Sequence, residues 1–491
     1  MTDPIFREIN LQTNEASQIE WINSKKETIK IILPRTVYPP KEDTQLIEKC
    51  ISEIGLGNGR KLLEIGCGSG AVSISAALSG WEVTACDINP LAVVATKGNC
   101  KLNGVNINLF EGGIVDENDD YLENFCESNP QFDLIIWNLP YLSPPTTEDE
   151  PRLGPLEDAA LIDLDGERGW GEVLLDKLEQ HPGLLSEGGA IYLLHSNNTR
   201  GNLLQSKWRL NGWATRIIGE SNLGDGELIT CFSAWKPFNN KSIEWHEELD
   251  STNKYMLDNK LEIGKCVVAK KQTSGRGQRN RKWVTRAGDF AGSWMIDSEL
   301  CSNIIGNFQL SAALSVVDSI CAILNRPLPS IHWSECRKLK DLGLNIRWPN
   351  DIWDSNGKLA GCLIEGRQVG ENQSIVLGIG ANINPGDERE FEMSGIREIC
   401  GNDFSLEEFA SILNCSVSSL FEIHPLSPFP DANKHQNSIW MLMSNYLSEG
   451  KLLFQEERNF SVKGINNESE LICHNGEETL IVSNSFNCKW E

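Results

Sequence analysis

The stretch KLLEIGCGSG (residues 61–70) decides the fold of the first half of the chain. Its short apolar run predicts a buried strand, and its glycine-rich end predicts a tight turn. The small residues 71–79 predict a helix, and WEVTACD (81–87) predicts a second strand that ends in Asp87. Glycines that let the backbone approach a ligand, followed about 20 residues later by an acid for ribose hydroxyls, are typical of a nucleotide-type α/β domain. A tight turn that binds no ligand is the alternative.

Two further features favour S-adenosylmethionine over a dinucleotide as the ligand. Glu64 lies within the strand before the turn, and DLIIWNLPY (133–141) predicts a buried strand that ends in a polar turn. Asn138 presents an amide there, at the carboxyl end of a strand, where open α/β sheets bind ligands. Pro140 stiffens the turn, and the flat ring of Tyr141 can stack on a planar amide or base. We therefore expect a planar nitrogen as the methyl acceptor.

These residues resemble the class I methyltransferases of the Asn-Pro-Pro-Tyr type. With VYPPKEDTQLI (37–47), the DINP run (87–90) and LIDLDGERGWGEVLLDKL (161–178), they are similar to the HemK-like release-factor glutamine methyltransferases. The resemblance implies a Rossmann-like sheet, S-adenosylmethionine as cofactor and a peptide-chain release factor as partner. It also implies cofactor contacts at Thr44, Glu64, Gly66, Gly68, Asp87 and Asn138, and catalytic roles for Asn138 and Tyr141.

Two positions depart from that pattern: Leu139 replaces the family's first proline, and Gly113 replaces an acid. Because Pro140 remains, we expect the turn to keep its form. The missing acid concerns the affinity for the cofactor, and Glu111 or Asp116 is a candidate substitute. An inactive methyltransferase that acts as a docking platform remains an alternative, as does an acceptor such as a protein lysine or a nucleic-acid base.

The charge of the chain bears on the substrate. The 491 residues include 44 Lys and Arg against 69 Asp and Glu, which gives a net charge of −25. Such a chain repels a phosphate backbone at long range, so we expect no stable nucleic-acid binding. The acidic run 116–127 is expected to be solvated. A protein acceptor is therefore favoured over a nucleic acid.

The second half contains a basic stretch that stands out against this charge. KCVVAKKQTSGRGQRNRKWVTR (265–286) has eight Lys or Arg and no acid. Glycines that alternate with arginines predict a flexible loop whose amides and guanidiniums can surround a phosphate. A solvated charged loop is the alternative.

Three further segments follow in a fixed order: RWPNDIW (347–353), GKLAGCLIE (357–365) and SIVLGIGANIN (374–384). The last two predict strands, and Lys358 lies at the start of one of them, seven residues after Asp351. This position indicates a lysine that acts in a site, although an ordinary surface lysine remains the alternative.

Together with the GRG loop, these segments resemble the biotin protein ligases over about residues 242–490. The resemblance implies that biotin and MgATP form biotinyl-5′-adenylate, which then acylates a lysine of a separate biotin carboxyl carrier protein of a carboxylase. It implies an α+β catalytic domain and a small SH3-like β-barrel, which either assists ATP and carrier binding or is a structural cap. The implied binding residues are Ser251, Thr252, Asn253, Gln272, Arg276, Gly277, Gln278, Trp283, Asp351 and Lys358, of which Lys358 is catalytic.

Gln278 departs from the family, which has arginine there, and this change predicts weaker retention of the adenylate. Nearby cations are expected to compensate in part, namely Arg279, Arg281 and Lys282. Asp351 is a candidate to orient magnesium or the incoming lysine.

Composition sets the remaining expectations. The 15 cysteines form no C-x-x-C knuckle, and the seven histidines are scattered, so we expect no metal site built from cysteine or histidine. The chain shows no signal peptide and no long apolar run, which predicts a cytoplasmic protein without a membrane span. KPFNNK (236–241) is expected to be a linker. The predicted domains are an N-terminal extension (1–28), the methyltransferase (29–236), the ligase catalytic domain (242–432) and the SH3-like domain (435–491).

Overall fold

The description rests on a computed structural model. It describes residues 15–114, 131–142, 160–164, 166, 168–224, 226–277, 282–302, 305–369, 372–384, 393–401, 404–447, 453–455, 458–483 and 488–490. These described residues fall into two compact units. Unit 1 comprises Met1–Leu204, Thr215–Trp235 and His424–Pro428, and unit 2 comprises Gln205–Ala214, Lys236–Ile423 and Phe429–Glu491.

Unit 1 begins with an antiparallel hairpin, followed by alternating strands and helices. Its strands are β1 (Ser17–Ile22), β2 (Thr28–Leu33), β3 (Lys61–Ile65), β4 (Glu82–Asp87), β5 (Asn108–Glu111), β6 (Phe132–Asn138), β7 (Leu185–Ser196), β8 (Ala214–Gly224) and β9 (Glu227–Trp235). Its helices are α1 (Glu42–Glu53), α2 (Ala71–Leu78), α3 (Pro90–Leu102), α4 (Trp170–Gln180) and α5 (Thr199–Leu210), of which α5 runs on into residues of unit 2.

Seven of the strands described in unit 1 form a sheet in the order β5-β4-β3-β6-β7-β9-β8. The strands from β5 to β7 pair in parallel, and β9 pairs antiparallel to β7. Strands β4 and β5, which follow β3 in sequence, lie on one side of β3 in the sheet. Strand β6 lies on the other side of β3. The order therefore reverses between β3 and β6, and the carboxyl ends of these two strands flank the crevice where such sheets bind ligands.

The hairpin corrects the expectation of a separate extension at residues 1–28. Strand β1 pairs with β2 over its full length, and Trp21 is buried in the same apolar core as Ile29 and Ile31. The described part of this segment therefore belongs to unit 1.

Unit 2 is a mixed α/β body. Its strands are β10 (Glu244–His246), β11 (Cys266–Ala269), β12 (Phe290–Ile296), β13 (Asn345–Arg347), β14 (Asp351–Trp353), β15 (Lys358–Val369), β16 (Asn372–Ala381), β17 (Leu453–Gln455), β18 (Arg458–Ile465), β19 (Leu471–His474), β20 (Thr479–Val482) and β21 (Cys488–Trp490). Its helices are α6 (Thr252–Asn259), α7 (Ile305–Ile323), α8 (Ile396–Cys400), α9 (Leu406–Phe421) and α10 (Gln436–Leu447), with 3₁₀ turns at Pro237–Asn240, Ser298–Ser302, Trp333–Leu342 and Ala432–His435.

Two sheets organise the described strands of unit 2. The first has the order β10-β11-β12-β16-β15-β14-β13 and is antiparallel apart from the pair β10–β11. The second has the order β20-β19-β18-β17-β21. Buried residues of the second sheet, such as Phe460 and Leu471, belong to the same apolar core as helix α7. The C-terminal sheet is thus part of unit 2, whereas the sequence predicted a third domain.

The segment KPFNNK is not a free linker. Phe238 is buried in the core of unit 2, and its N–H donates to Glu422 Oε2 at 2.7 Å. Phe238, Asn239 and Asn240 have φ values of 48°, 58° and 57°. A phenylalanine in this left-handed region is strained, so burial of its ring and the hydrogen bond must hold it there.

The segment 330–343 also has a structural explanation. Cys336 and Leu339 of its 3₁₀ turn are buried, and Asn445 Nδ2 on α10 donates to the carbonyl oxygen of Cys336 at 3.1 Å. The segment therefore packs against α10. Within the described ranges, the structure contains no helix that is long and apolar enough to cross a membrane.

Candidate active sites

A cavity of about 450 Å³ opens at the carboxyl ends of β3, β4 and β6 in unit 1. It brings together all the methyltransferase residues that the sequence singled out. These are Thr44, Glu64, Gly66, Gly68, Asp87, Asn138 and Tyr141.

The glycine turn shapes the floor of this cavity. The N–H groups of Gly66 and Cys67 donate to the carbonyl oxygen of Cys86, which ties the turn to β4. Gly66 and Gly68 have φ values of 71° and 54°, a conformation that favours glycine. A Cβ at Gly70 would lie 2.6 Å from Thr96 Cγ2, so the turn also needs glycine for close packing.

Asp87 closes β4 beside this turn. Its Oδ2 accepts from Gly68 N at 2.7 Å and its Oδ1 accepts from Asn89 N at 2.8 Å. Burial raises the pKa of this carboxyl, while the two backbone bonds oppose the shift. A carboxylate has about four lone-pair sites, so about two remain for ligand hydroxyls. These free acceptor sites fit the hydroxyl groups of the ribose of S-adenosylmethionine.

Glu64 is buried on β3, where Ser73 Oγ donates to its Oε2. Burial raises the pKa of this carboxyl to about 8. A buried carboxyl that is neutral in the free protein is well suited to ionise when a cationic ligand arrives, because the ligand's charge replaces the lost hydration. The cofactor S-adenosylmethionine carries such a charge.

The raised pKa of Glu64 predicts a pH-dependent stability of unit 1. Between about pH 4.5 and 8 the folded chain holds a proton that the unfolded chain has lost, so the free energy of unfolding falls as pH rises through this window. Glu64→Gln removes this titration. We expect its strand β3 amides to be better protected from hydrogen exchange than in the wild type, by a margin that grows from pH 5 to pH 8. Glu82→Gln, at an exposed carboxyl on β4, is the matched control, and a constant margin for Glu64→Gln would contradict the prediction.

Asn138 is the polar end of β6. Its Nδ2 donates to Asp43 Oδ2 at 2.9 Å, and its Oδ1 is buried without a hydrogen-bond partner among the described residues. Buried polar atoms are nearly always paired, so this acceptor points to a ligand that brings an N–H.

Asp43 and Tyr38 also line the unit 1 cavity, although the sequence did not predict them as site residues. Asp43 is 3% exposed and accepts from Tyr38 Oη at 3.0 Å. Burial, together with the nearby Asp43 carboxylate, raises the pKa of Tyr141. The sequence feature that could have indicated Asp43 is the Glu42-Asp43 pair of VYPPKEDTQLI, which directly precedes Thr44.

The two departures from the family pattern have local explanations. Leu139 is buried, and its N–H donates to Leu194 O at 3.1 Å, so the turn after β6 is held by β7. Gly113 lines the cavity, whereas Glu111 is exposed and does not, so the structure does not support Glu111 as a substitute acid. Asp116 lies outside the described residues.

A second cavity, of about 470 Å³, lies in unit 2. It is lined by nine of the ten ligase residues that the sequence singled out. These nine are Ser251, Thr252, Asn253, Gln272, Arg276, Gly277, Trp283, Asp351 and Lys358. Gln278 lies outside the described residues, as do Arg279 and Arg281, whereas Lys282 lines the cavity.

The start of α6 forms one end of this cavity. Ser251 caps the helix, and Thr252 N donates to Gln272 Oε1 at 2.8 Å. Ser293 Oγ on β12 bridges Thr252 Oγ1 and Asn253 Oδ1 at 2.7 and 2.6 Å. These buried hydrogen bonds hold residues 251–253, the SerThrAsn segment, rigidly in place. The sequence did not predict Ser293 as a site residue.

Glu365 is a second residue that sequence reasoning missed. Its Oε2 accepts from Asn253 Nδ2 at 2.9 Å, and its Oε1 lies 3.2 Å from Arg276 Nη1. One carboxylate therefore joins the basic loop to the end of the cavity formed by α6.

Lys358 begins β15 and faces Asp351 across the β14–β15 pair. Its Nζ lies 2.7 Å from Asp351 Oδ1 and 5.4 Å from the centre of the Trp283 ring. Both charged side chains are about one quarter exposed, so the ammonium group is accessible to a ligand. Asp351 is the one carboxylate among the described residues that line this cavity.

The glycines of GIG on β16 make room for two of these side chains. A Cβ at Gly378 would lie 2.3 Å from Asn253 Oδ1, and a Cβ at Gly380 would lie 2.2 Å from the Trp283 ring. Residues two apart on a strand face the same side. The motif therefore provides a flat floor on which Asn253 and Trp283 lie.

The first half of the chain is similar to known methyltransferases. The model of the ribosomal protein L11 methyltransferase (PrmA) family matches residues 43–139. A putative protein N5-glutamine methyltransferase of Methanocaldococcus jannaschii is 33% identical over 211 residues, which are 43% of this chain and 97% of that protein. The chain belongs to the protein N5-glutamine methyltransferase family. A release factor glutamine methyltransferase of Lactococcus lactis is 29% identical over 137 residues, 27% of this chain and 46% of that protein.

The second half of the chain is similar to biotin ligases. The model of the biotin/lipoate A/B protein ligase family matches residues 243–382. A biotin–[acetyl-CoA-carboxylase] ligase of Paracoccus denitrificans is 33% identical over 142 residues, which are 27% of this chain and 51% of that protein. The bifunctional ligase/repressor BirA of Escherichia coli is 27% identical over 238 residues, 46% of this chain and 66% of that protein. The chain thus spans about half to two thirds of these ligases.

Solved structures were also compared with this chain. A biotin protein ligase from Aquifex aeolicus in complex with biotin and ATP is 22% identical, with a TM-score of 0.40, over 51% of this chain and 99% of that one. The two halves of the chain are thus similar to two different enzyme families, the N5-glutamine methyltransferases and the biotin ligases, by sequence.

Proposed function

We propose that the chain is a bifunctional enzyme. Unit 2 joins biotin to a lysine of a separate biotin carboxyl carrier protein through biotinyl-5′-adenylate, and unit 1 methylates an amide nitrogen, with a release-factor glutamine as the acceptor. The methyltransferase proposal rests on Asn138 Oδ1, which is buried and has no hydrogen-bond partner among the described residues. The Lys358–Asp351 pair beside the basic loop carries the ligase proposal.

In unit 1, the main role of the protein residues is to position the acceptor. They contribute little further chemistry themselves. Asn138 Oδ1 accepts one N–H of the substrate amide, which directs the nitrogen lone pair towards the methyl group, and Tyr141 contacts the flat face of the amide. When bound, S-adenosylmethionine would supply the methyl group to the positioned nitrogen, and its sulfur would keep the electron pair of the broken S–C bond. The nitrogen releases one proton to water.

The test is mass spectrometry of release factor and carrier protein after co-expression with the chain. The expected products are a methylated glutamine on the release factor and a biotinylated lysine on the carrier. Asn138→Ala is expected to lower methylation about 100-fold, because the acceptor loses its orientation. Asn106→Ala, at an exposed loop position, is the matched control. A methyl label on nucleic acid instead of on the release factor would overturn the assigned acceptor.

The second candidate for unit 1 is an inactive docking platform, which the replacement of the family's acid by Gly113 favours. Calorimetry with S-adenosylmethionine separates the two proposals. Binding supports the enzyme, and a folded unit 1 that does not bind supports the platform.

In unit 2, the cavity residues hold the two reacting groups together. Lys358 places a positive charge where the biotin carboxylate meets the α-phosphate, and the basic loop encloses the adenylate. The SerThrAsn segment and Gln272 hold the biotin ring. Magnesium arrives with ATP, and one carboxylate plus substrate phosphates is a usual way to bind it, which fits Asp351. The acidic net charge disfavours a repressor that binds DNA.

Gln278, in place of an arginine, predicts that the proposed ligase retains biotinyl-adenylate less tightly. A guanidinium at that position would add a charge-assisted hydrogen bond to the adenylate phosphate. We expect Gln278→Arg to release free biotinyl-adenylate about tenfold more slowly than the wild type does, which corresponds to one such bond. Chromatography of the free adenylate during turnover measures this rate, and equal release would remove the explanation.

The cysteines agree with a cytoplasmic location. None of the cysteines whose side chains the structure describes forms a disulfide, and all of them are buried. Free thiols in this number fit a reducing compartment.

A further inference from the structure

Asp43 lines the unit 1 cavity beside Asn138, and hydrogen bonds from the protein occupy its carboxylate. It is the second residue of α1 and is 3% exposed. Its Oδ1 accepts from Thr44 N and Thr44 Oγ1 at 2.7 and 3.2 Å. Its Oδ2 accepts from Tyr38 Oη at 3.0 Å and from Asn138 Nδ2 at 2.9 Å.

These donors use all the hydrogen-bonding capacity of Asp43. A carboxylate has about four lone-pair sites, and the protein supplies at least that many donors. Burial and the charge of Asp43 raise the pKa values of Tyr38 and Tyr141, so both hydroxyls keep their protons and remain donors. Asp43 therefore has no lone pair left with which to take a proton from a substrate.

The bond to Asn138 has a directional consequence. A side-chain amide has a donor end and an acceptor end, and the two are nearly equal in size. An ionised carboxylate only accepts, so it selects the orientation in which Nδ2 of Asn138 faces Asp43. Oδ1 must then face away from Asp43, where it is buried without a partner among the described residues.

We propose that Asp43 is the positioning residue that sets the specificity of methyl transfer, because it fixes the Asn138 amide with its oxygen towards the acceptor. This inference rests on the proposed methyltransferase function. The fixed oxygen selects an acceptor nitrogen that still carries a hydrogen to donate, such as a carboxamide or an amino group on a planar ring. It disfavours nitrogens that only accept, because these would face the Asn138 oxygen with a lone pair.

The experiment is a double-mutant cycle in the full-length chain. Asp43→Asn has the same shape, but its amide no longer selects one orientation of Asn138. We expect kcat for a release-factor substrate to fall about 10- to 100-fold, with unchanged affinity for S-adenosylmethionine by calorimetry. In an Asn138→Ala background the same substitution is expected to cost nothing further, because Asp43 acts through Asn138.

The outcomes are distinguishable. Additive losses in the cycle, or an Asp43→Asn variant as active as the wild type, would overturn the inference and leave the methyltransferase function standing. A wild-type chain that methylates no glutamine substrate would overturn the proposed function and this inference with it.

A second variant keeps the inference falsifiable if Asp43→Asn binds the cofactor poorly. In the exchanged pair, Asp43→Asn with Asn138→Asp, the side chain at position 138 is acceptor-only and needs no orienting partner. We expect this pair to recover at least part of the activity that Asp43→Asn loses. Activity no higher than that of Asp43→Asn, in a protein with normal cofactor binding, would count against the inference.

Discussion

Carrier biotinylation is expected to fall about 100- to 1000-fold when Lys358 is replaced by alanine. The ammonium group lies in the unit 2 cavity beside Asp351 and Trp283, and in the proposed reaction it would meet the negative charge that builds up between carboxylate and phosphate. Both half-reactions pass through this charge. Pyrophosphate exchange and label transfer to the carrier should therefore fall together.

Loss of stability does not explain this expected effect. Lys358 and Asp351 are 27% and 28% exposed, and a solvated ion pair contributes no more than about 1 kcal/mol. Lys338→Ala is the matched control, because the exposed Lys338 pairs with Glu335 on the same unit, outside the basic stretch and the cavity. Labelling by Lys358→Ala at the wild-type rate would refute the ligase assignment of this lysine.

Arg209→Ala is expected to destabilise unit 2 by about 3–5 kcal/mol. Arg209 and Asp318 are 1% and 0% exposed, and the guanidinium donates to Asp318 Oδ2. Ser330 N donates to the same carboxylate at 3.0 Å. Removal of Arg209 leaves a buried, uncompensated charge on α7.

Hydrogen exchange of the α7 amides in the full-length chain measures this loss. Arg168→Ala is the control, since its pair with Asp176 is about half exposed and its loss should cost less than about 1 kcal/mol. Arg209→Met with Asp318→Leu removes both charges and should recover much of the stability. Exchange from α7 that does not change in Arg209→Ala would contradict the prediction.

The Arg209–Asp318 ion pair also determines which fragments of the chain are expected to be stable. Residues 205–214 count with unit 2, although they precede the segment 236–241 that the sequence suggested as a linker. A ligase fragment that starts at Lys236 lacks Arg209. Such a fragment should be less stable than the ligase in the full chain, for the same reason as Arg209→Ala.

Much of the fold was predictable because its signals are local. The strand, glycine turn and acid at residues 61–87 are close in sequence, and each has its own steric or charge requirement. The Gly378 and Gly380 pattern is likewise local, since two residues on one face of β16 meet Asn253 and Trp283. Boundaries depend on packing between distant segments: Trp21 and Phe238 are core residues in segments that the sequence predicted as an N-terminal extension and a linker.

The sequence by itself determined which chemistries the chain carries, because each motif holds its key groups within a few residues. Only the tertiary structure decided how those groups are oriented. Asp43 meets Asn138 across 95 residues, Glu365 meets Arg276 across 89, and Asp318 meets Arg209 across 109. A carboxylate that pairs over such a distance leaves no periodic or spacing signal, since its partner is set by which strands and helices meet in the fold.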